Sequence, residues 1–250
     1  MQPQDYAGVM SARSVNWTVL GDPADRVPVG EGLRERKKRL MRQQLSDVAT
    51  EMFVERGFEA VRVSEIAEAC GVSEKTVFNY FPTKESLVLD RWEVTAVSLR
   101  SGLADGGIPP VEAVRRILDS ELGDQLSWLD GQESPASARA VMRRFIELVR
   151  TTPALRAHQR DALDRVIAVA AEILAGRAGV SPDAPESWIA AAALIGLWEV
   201  QTRALDKYLD GDGGLDEVRE RVSAEVCRAA RVLEVGLGSQ EVFDPNYLNH

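Results

Sequence analysis

Residues 62–87 read Arg62-Val63-Ser64-Glu65-Ile66-Ala67-Glu68-Ala69-Cys70-Gly71-Val72-Ser73-Glu74-Lys75-Thr76-Val77-Phe78-Asn79-Tyr80-Phe81-Pro82-Thr83-Lys84-Glu85-Ser86-Leu87. Val63 to Cys70 puts Ile66, Ala67 and Cys70 on one side of a short helix. Gly71-Val72 makes a turn, where the missing Cβ lowers the cost of the backbone conformation. Ser73 offers an N-cap hydroxyl to a second helix, Glu74 to Phe81, and Pro82 stops it. Two short helices about a glycine turn, locked by Ile66, Ala67, Val72 and Val77, have the design of a helix-turn-helix. The second helix would project Glu74, Lys75, Thr76, Phe78 and Asn79 into a major groove, where donors, acceptors and a methyl-binding surface distinguish base pairs. Phe78 and Tyr80 also have a reading as core aromatics, and Phe81 is a core residue. Glu74 repels phosphate and has an alternative role in compensating the helix dipole.

Working outward, the segment from Arg34 to Arg56 carries Leu45, Val48, Ala49, Met52 and Phe53 at offsets 0, 3, 4, 7 and 8, the stripe of a helix with one buried face. Gly57 ends it, leaving Phe58 free to fold back onto the core. On the other side, Thr83 caps a fourth helix expected to run to about Leu103, before Gly106-Gly107-Ile108-Pro109-Pro110 breaks the chain. Helical patterns follow at Val111–Trp128, Pro135–Thr151, Pro153–Arg177, Glu186–Leu209 and Leu215–Leu237. No stretch alternates with period two and no solenoid repeat recurs, so the fold class is all-α. The expected organisation is an N-terminal arm over 1–32, a three-helix domain with the helix-turn-helix over 33–82, a C-terminal helical domain over 83–238, and a loose tail over 239–250.

The chain of 250 residues has a formal charge of −9, which argues against a surface coated with base. That total combines unlike parts. Residues 33–92 hold eleven basic and ten acidic side chains, leaving +1, whereas 93–250 hold seventeen against twenty-five, leaving −8. Arg34, Arg36, Lys37, Lys38, Arg39 and Arg42 crowd into nine positions opposed only by Glu35. Such a run is either a solvated helix end or, set before the first helix of a DNA-binding domain, an arm for phosphates or the minor groove. With 45% apolar and 28% charged residues the chain has the makings of a sizeable core.

Several function classes fall away. Cys70 and Cys227 are 157 positions apart and form no C-x-x-C pair, so neither a zinc ribbon nor a disulfide framework is expected, and a reducing, cytoplasmic setting is the simplest reading. No signal peptide is read in residues 1–30, and the Asn16-Trp17-Thr18 sequon is a chance match. The longest apolar run, Trp188 to Trp198, is eleven residues, where a membrane span needs about 20. His158 and His250 are the only histidines, and H-E-x-x-H, G-x-S-x-G, a P-loop and a G-x-G-x-x-G after a strand are all lacking, so no enzyme, cofactor or metal site is expected. Asp210-Gly211-Asp212-Gly213-Gly214 resembles a calcium loop but has Gly214 in place of the third ligand, and reads as an interhelical turn. A helical adaptor that binds only protein would leave the groove-facing helix unexplained.

The run 62–87, with Ala49-Thr50-Glu51-Met52-Phe53-Val54-Glu55-Arg56-Gly57-Phe58 before it, resembles the DNA-binding domain of the TetR family of transcriptional regulators over roughly residues 35–90. The resemblance implies a sequence-specific, cytoplasmic DNA-binding regulator, a repressor by default. It also implies a homodimer on double-stranded operator DNA whose C-terminal domain binds a small-molecule effector. Thr76, Phe78 and Asn79 match base-facing positions, with Ser73, Glu74 and Lys75 at the helix start. Tyr80 and Lys84 match phosphate-holding positions, and Ser64 another contact. Lys84 would also stand in the first turn of the fourth helix, where amide ends favour a phosphate. Arg62 stands where the family often has Thr, weakening an N-cap while adding a phosphate contact. Arg36, Lys37 and Lys38 belong to the cationic arm.

In the second half, Ala190–Ala193 and Gly196 on one helix, and Val218, Val222, Val226, Ala229, Leu233 and Leu237 on the next, suit a four-helix dimer interface or an internal core stripe. Trp128, Phe145, Leu148, Leu163, Val166, Ile167, Ile195 and Trp198 either line an apolar effector cavity or pack the core. Gly32-Leu33-Arg34-Glu35-Arg36-Lys37-Lys38-Arg39 together with Thr152-Pro153-Ala154-Leu155-Arg156 is similar to an actinobacterial branch with an acyl-CoA-like ligand-binding C-terminal domain. That similarity implies an apolar or amphipathic effector, acyl-CoA-like, lipid or aromatic, that lowers operator affinity, with Arg143, Arg144 or Arg203 meeting an anionic head group.

Overall fold

A computed structural model describes residues 32–89, 92–211 and 213–236. The expected arm, apart from Gly32, the tail and Leu237 lie outside the described residues. Among the described residues there are nine α-helices and no strand: α1 Leu33–Arg56, α2 Val63–Ala69, α3 Glu74–Tyr80, α4 Trp92–Ala104, α5 Pro110–Asp130, α6 Pro135–Thr151, α7 Pro153–Ala178, α8 Pro185–Leu209 and α9 Leu215–Val235. A 3-10 turn, Glu85–Leu87, stands between α3 and α4. The all-α reading of the sequence is the fold observed. The chain divides into two compact units, Met1–Asp90 with Trp128–His158, and Arg91–Ser127 with Gln159–His250.

The first unit is built on the apolar stripe of α1. Leu45, Ala49 and Phe53 are buried and meet Ile66 and Ala67 of α2, Val77 of α3 and Phe81 beyond it. Gly57 ends α1 at φ 87°, with its N–H donating to the Phe53 carbonyl at 2.9 Å. Phe58 then folds back, its ring centroid 5.0 Å from that of Phe53. The core shared by α1 and the two short helices α2 and α3 also takes in Leu87, Val88, Val149 of α6 and Leu155 of α7. Arg144 on α6 donates to the Val54 carbonyl at 3.0 Å. The unit around the helix-turn-helix thus takes in more chain than residues 33–82.

Two sequence expectations change. The cationic run is not an arm ahead of the first helix: α1 begins at Leu33, so Arg34 to Arg42 are its first turns. Nor does a helix run from Thr83 to Leu103. Ser86 Oγ donates to the Thr83 carbonyl at 2.7 Å, the acceptor that the Leu87 N–H would need in an α-helix, and Leu87 N–H turns to Lys84 at 3.3 Å. Thr83 still caps, its Oγ1 accepting from Ser86 N–H at 3.2 Å, but only a single 3-10 turn follows, and α4 starts at Trp92.

The second unit packs Leu99 and Leu103 of α4, Val114 and Leu118 of α5, Val166 and Ala170 of α7, and Leu194, Ile195, Leu197 and Trp198 of α8 with Val226 of α9. Arg177 braces the end of α4, donating to the carbonyls of Leu103 at 3.1 Å and Ile108 at 2.7 Å. Trp198 donates its indole N–H to Glu121 at 2.8 Å. Among the described residues no helix is long and apolar enough to cross a membrane.

Candidate nucleic-acid interface

A seven-residue helix such as α3 is too short to hold itself by propensity. Its N-terminus is fixed by Gly71 at φ 66° and by Ser73, whose Oγ accepts from Thr76 N–H at 3.1 Å. Val77 is its one fully buried side chain. The rest of α3 therefore faces outward: Glu74, Lys75, Phe78 and Asn79 are exposed, while Thr76 and Tyr80 are half-buried. Phe78 is 45% exposed, so it is not a core aromatic, whereas Phe81 at 1% is. Tyr80 packs its half-buried ring against the first core. The Thr76 and Ser73 hydroxyls lie 2.8 Å apart and share a hydrogen bond.

The cations of this unit stand in two distinct states. Arg34, Arg36, Lys37 and Lys38 are exposed along the first turns of α1, where the helix dipole disfavours positive charge and an anionic partner would offset that cost. Arg62 and Ser64, at the start of α2, are also exposed. Arg62 has no acceptor for a cap, so Glu65 serves instead, taking the Arg62 N–H at 2.8 Å and an ion pair with Arg56 at 2.8 Å. The Arg62 main-chain hydrogen bond, followed by the Arg56 guanidinium, holds the Glu65 carboxyl below the usual carboxylate range.

Lys84 is different. Its Nζ donates to the Phe58 carbonyl at 2.6 Å and lies 4.3 Å from the centroid of the Phe58 ring. The helix-terminus argument for phosphate at Lys84 fails, because only a 3-10 turn follows it. Arg42 is engaged likewise, donating to the Tyr80 carbonyl and stacking on Phe81. Sequence reading missed this role for Arg42, although its place in a cationic run singled it out. Cys70, with Sγ 3.9 Å from the Gln44 carbonyl, has its thiol pushed up by burial and so is not a reactive thiolate.

The family model described as bacterial regulatory proteins, tetR family, matches residues 45–90, and one described as the MftR C-terminal domain matches 128–230. The HTH-type transcriptional regulator TcmR of Streptomyces glaucescens is 34% identical over 166 residues, covering 62% of this chain and 68% of that protein. The chain belongs to the TetR family. It is accordingly a DNA-binding transcriptional regulator rather than an enzyme, and members of the family bind operator DNA and dimerise. The transcriptional repressor AcnR of Corynebacterium efficiens is 26% identical over 147 residues, 58% of this chain and 71% of that one. The regulator LuxR of Vibrio harveyi is 51% identical over 47 residues, which are 19% of this TetR-family chain and 23% of LuxR.

The residues expected to hold an effector do not form one cluster. Phe145 and Leu148 pack against the first core, and Trp128 is buried in the same unit. Leu163, Ile167, Ile195 and Trp198 belong to the second core. Arg144 is bound to Val54, and Arg203 is a surface residue paired with Glu199 at 2.7 Å. Periodicity marks these apolar residues as buried without saying in which core. Of the residues expected at a dimer interface or an internal core stripe, Val218, Val222 and Val226 are buried within the protomer, while Trp188 and Ile189 of α8 are 48% and 66% exposed beside exposed Ala190 and Gly196. Glu121, the partner of Trp198, was also missed, because nothing in the sequence joins residues 77 positions apart.

Proposed function

We propose that the protein is a repressor that reads its operator through α3 as a homodimer and releases it when an apolar or amphipathic effector binds the second unit. The observation that carries the reading is the outer face of α3: Lys75, Thr76, Phe78 and Asn79 stand together on a helix pinned by Ser73 and Val77, with no core role for the exposed aromatic. Asn79 offers the bidentate amide that suits adenine, and Phe78 an apolar surface for a thymine methyl. Ser73, Glu74 and Lys75 approach at the helix start. Arg36, Lys37, Lys38, Arg62, Ser64 and Tyr80 hold phosphates, and Lys84 has two ammonium hydrogens left for another. Repression is the sense favoured by the name of AcnR.

The dimer forms through the exposed apolar start of α8, with α9 supporting it from within each protomer, and sets two reading heads about one DNA turn apart or slightly more. The effector, an acyl-CoA, a lipid or an aromatic compound, lodges among Leu163, Ile167, Ile195 and Trp198. Release requires that it prefer the non-binding conformation. A DNA-binding role suits a cytoplasmic protein. Gel-shift titration with its own upstream DNA at two salt concentrations should give site-selective, salt-sensitive complexes. Their absence overturns the reading. Thermal-shift screening of acyl-CoAs, fatty acids and aromatic compounds should raise the melting temperature for one class.

A further inference from the structure

The C-terminal end of α3 lacks the partners that a longer helix would supply. Pro82 has no N–H to return to the Phe78 carbonyl, and Phe81 has already turned to an extended backbone at φ −133° and ψ 107°. The Tyr80 carbonyl, at the same end of the helix, is taken by Arg42 from α1, 38 positions away, whose Nη1 donates to it at 2.5 Å. The guanidinium also lies 4.4 Å from the centroid of the Phe81 ring, which is 1% exposed and part of the first core. One turn further along α1, on the same face, Ser46 Oγ donates to the Leu87 carbonyl at 2.9 Å and holds the 3-10 turn. Two rungs of one helix thus grip the main chain on either side of Pro82.

We infer that Arg42, assisted by Ser46, is a positioning residue that fixes the tilt of α3 and thereby sets sequence selectivity without touching DNA. The inference rests on the reading of α3 as the base-reading helix. Hydrogen bonds from Asn79 and contacts from Phe78 demand placement within about half an ångström, whereas attraction to phosphate falls off slowly with distance. Loosening the Arg42 contact therefore costs selective binding more than unselective binding. A cation serving this purpose neutralises no phosphate, so its loss leaves the salt dependence alone.

The test uses the full-length protein, a duplex selected from a random pool by the wild type, and an unrelated duplex, titrated over a salt series. Arg42→Ala should lower the ratio of selective to unselective affinity by roughly tenfold with an unchanged salt slope. Arg42→Lys keeps the charge but loses the planar fork and stack, and should show most of the same loss. A slope reduced by about 0.9 per protomer with both affinities falling together would make Arg42 a phosphate contact and overturn the inference. So would an Arg42→Lys protein with wild-type selectivity, which decides the matter if the alanine variant does not fold. Amide hydrogen exchange on the DNA-free protein gives a readout that does not depend on operator binding. Arg42→Lys should speed exchange at Phe81, whose N–H closes the last turn on the Val77 carbonyl, by several-fold while leaving Ile66 in α2 unchanged. Equal exchange in the two proteins overturns the clamp even if the wild type proves unselective, a result that would itself count only against the base-reading role.

Discussion

The two units use the same material, amphipathic helices around an apolar core, but they place polar residues differently. In the first unit the exposed residues of interest lie on a short helix whose pose is set from below by Val77 and at its ends by Ser73 and Arg42. In the second unit the notable polar contact is internal, Trp198 to Glu121 beside the cluster of Ile195 and Leu194. A surface that must match an outside partner is built from residues that its own fold does not need. The effector site proposed for the second unit would draw on residues that the fold does need, and the two roles are hard to separate.

That contrast can be broken at its strongest point by Phe53→Ala, which empties the centre of the first core. It should cost about 3–5 kcal/mol by thermal or denaturant unfolding and remove DNA binding with it. Asn79→Ala should leave melting unchanged but alter preference at one base position by about 1–3 kcal/mol, measured by competition among single-base operator variants. Trp198→Phe should do the opposite, since the Glu121 carboxylate loses a donor. Stability is expected to fall by about 1–3 kcal/mol, while effector-free selectivity for DNA stays as it was.

The smallest effect expected is on the acid side. Glu65 has a depressed folded-state value, so its contribution to stability is present above the ordinary carboxylate value of 4.5 and lost as pH falls through the lower folded value. Melting temperatures of the wild type and Glu65→Gln should therefore differ at neutral pH and converge on acidification. A difference that persists unchanged through that range would contradict the assignment.

The first unit was legible in the sequence wherever the signals are local. Gly57, Gly71, Ser73 and Pro82 each act within a few residues, and the ends of α1, α2 and α3 fall where those residues place them. The stripe of Leu45, Ala49 and Phe53 likewise identified a buried face. The helix expected over 83–103 failed because a side chain, Ser86, took a carbonyl that propensity assigns to the backbone. Contacts over long separations were out of reach: Arg42 to Tyr80, Arg144 to Val54 and Glu121 to Trp198 join residues on different helices with no shared pattern. For the same reason the sequence pattern does not separate Phe145 and Leu148, which pack against the first core, from effector candidates.

The central claim is that α3 reads bases from the major groove. Replacing single purines of the selected duplex by their 7-deaza analogues removes the N7 acceptor from that groove while leaving pairing and the minor groove intact. The account predicts loss of affinity at a few positions, repeated in two half-sites related by symmetry. Uniform tolerance of these replacements, with affinity lost instead on altering minor-groove edges, would contradict it.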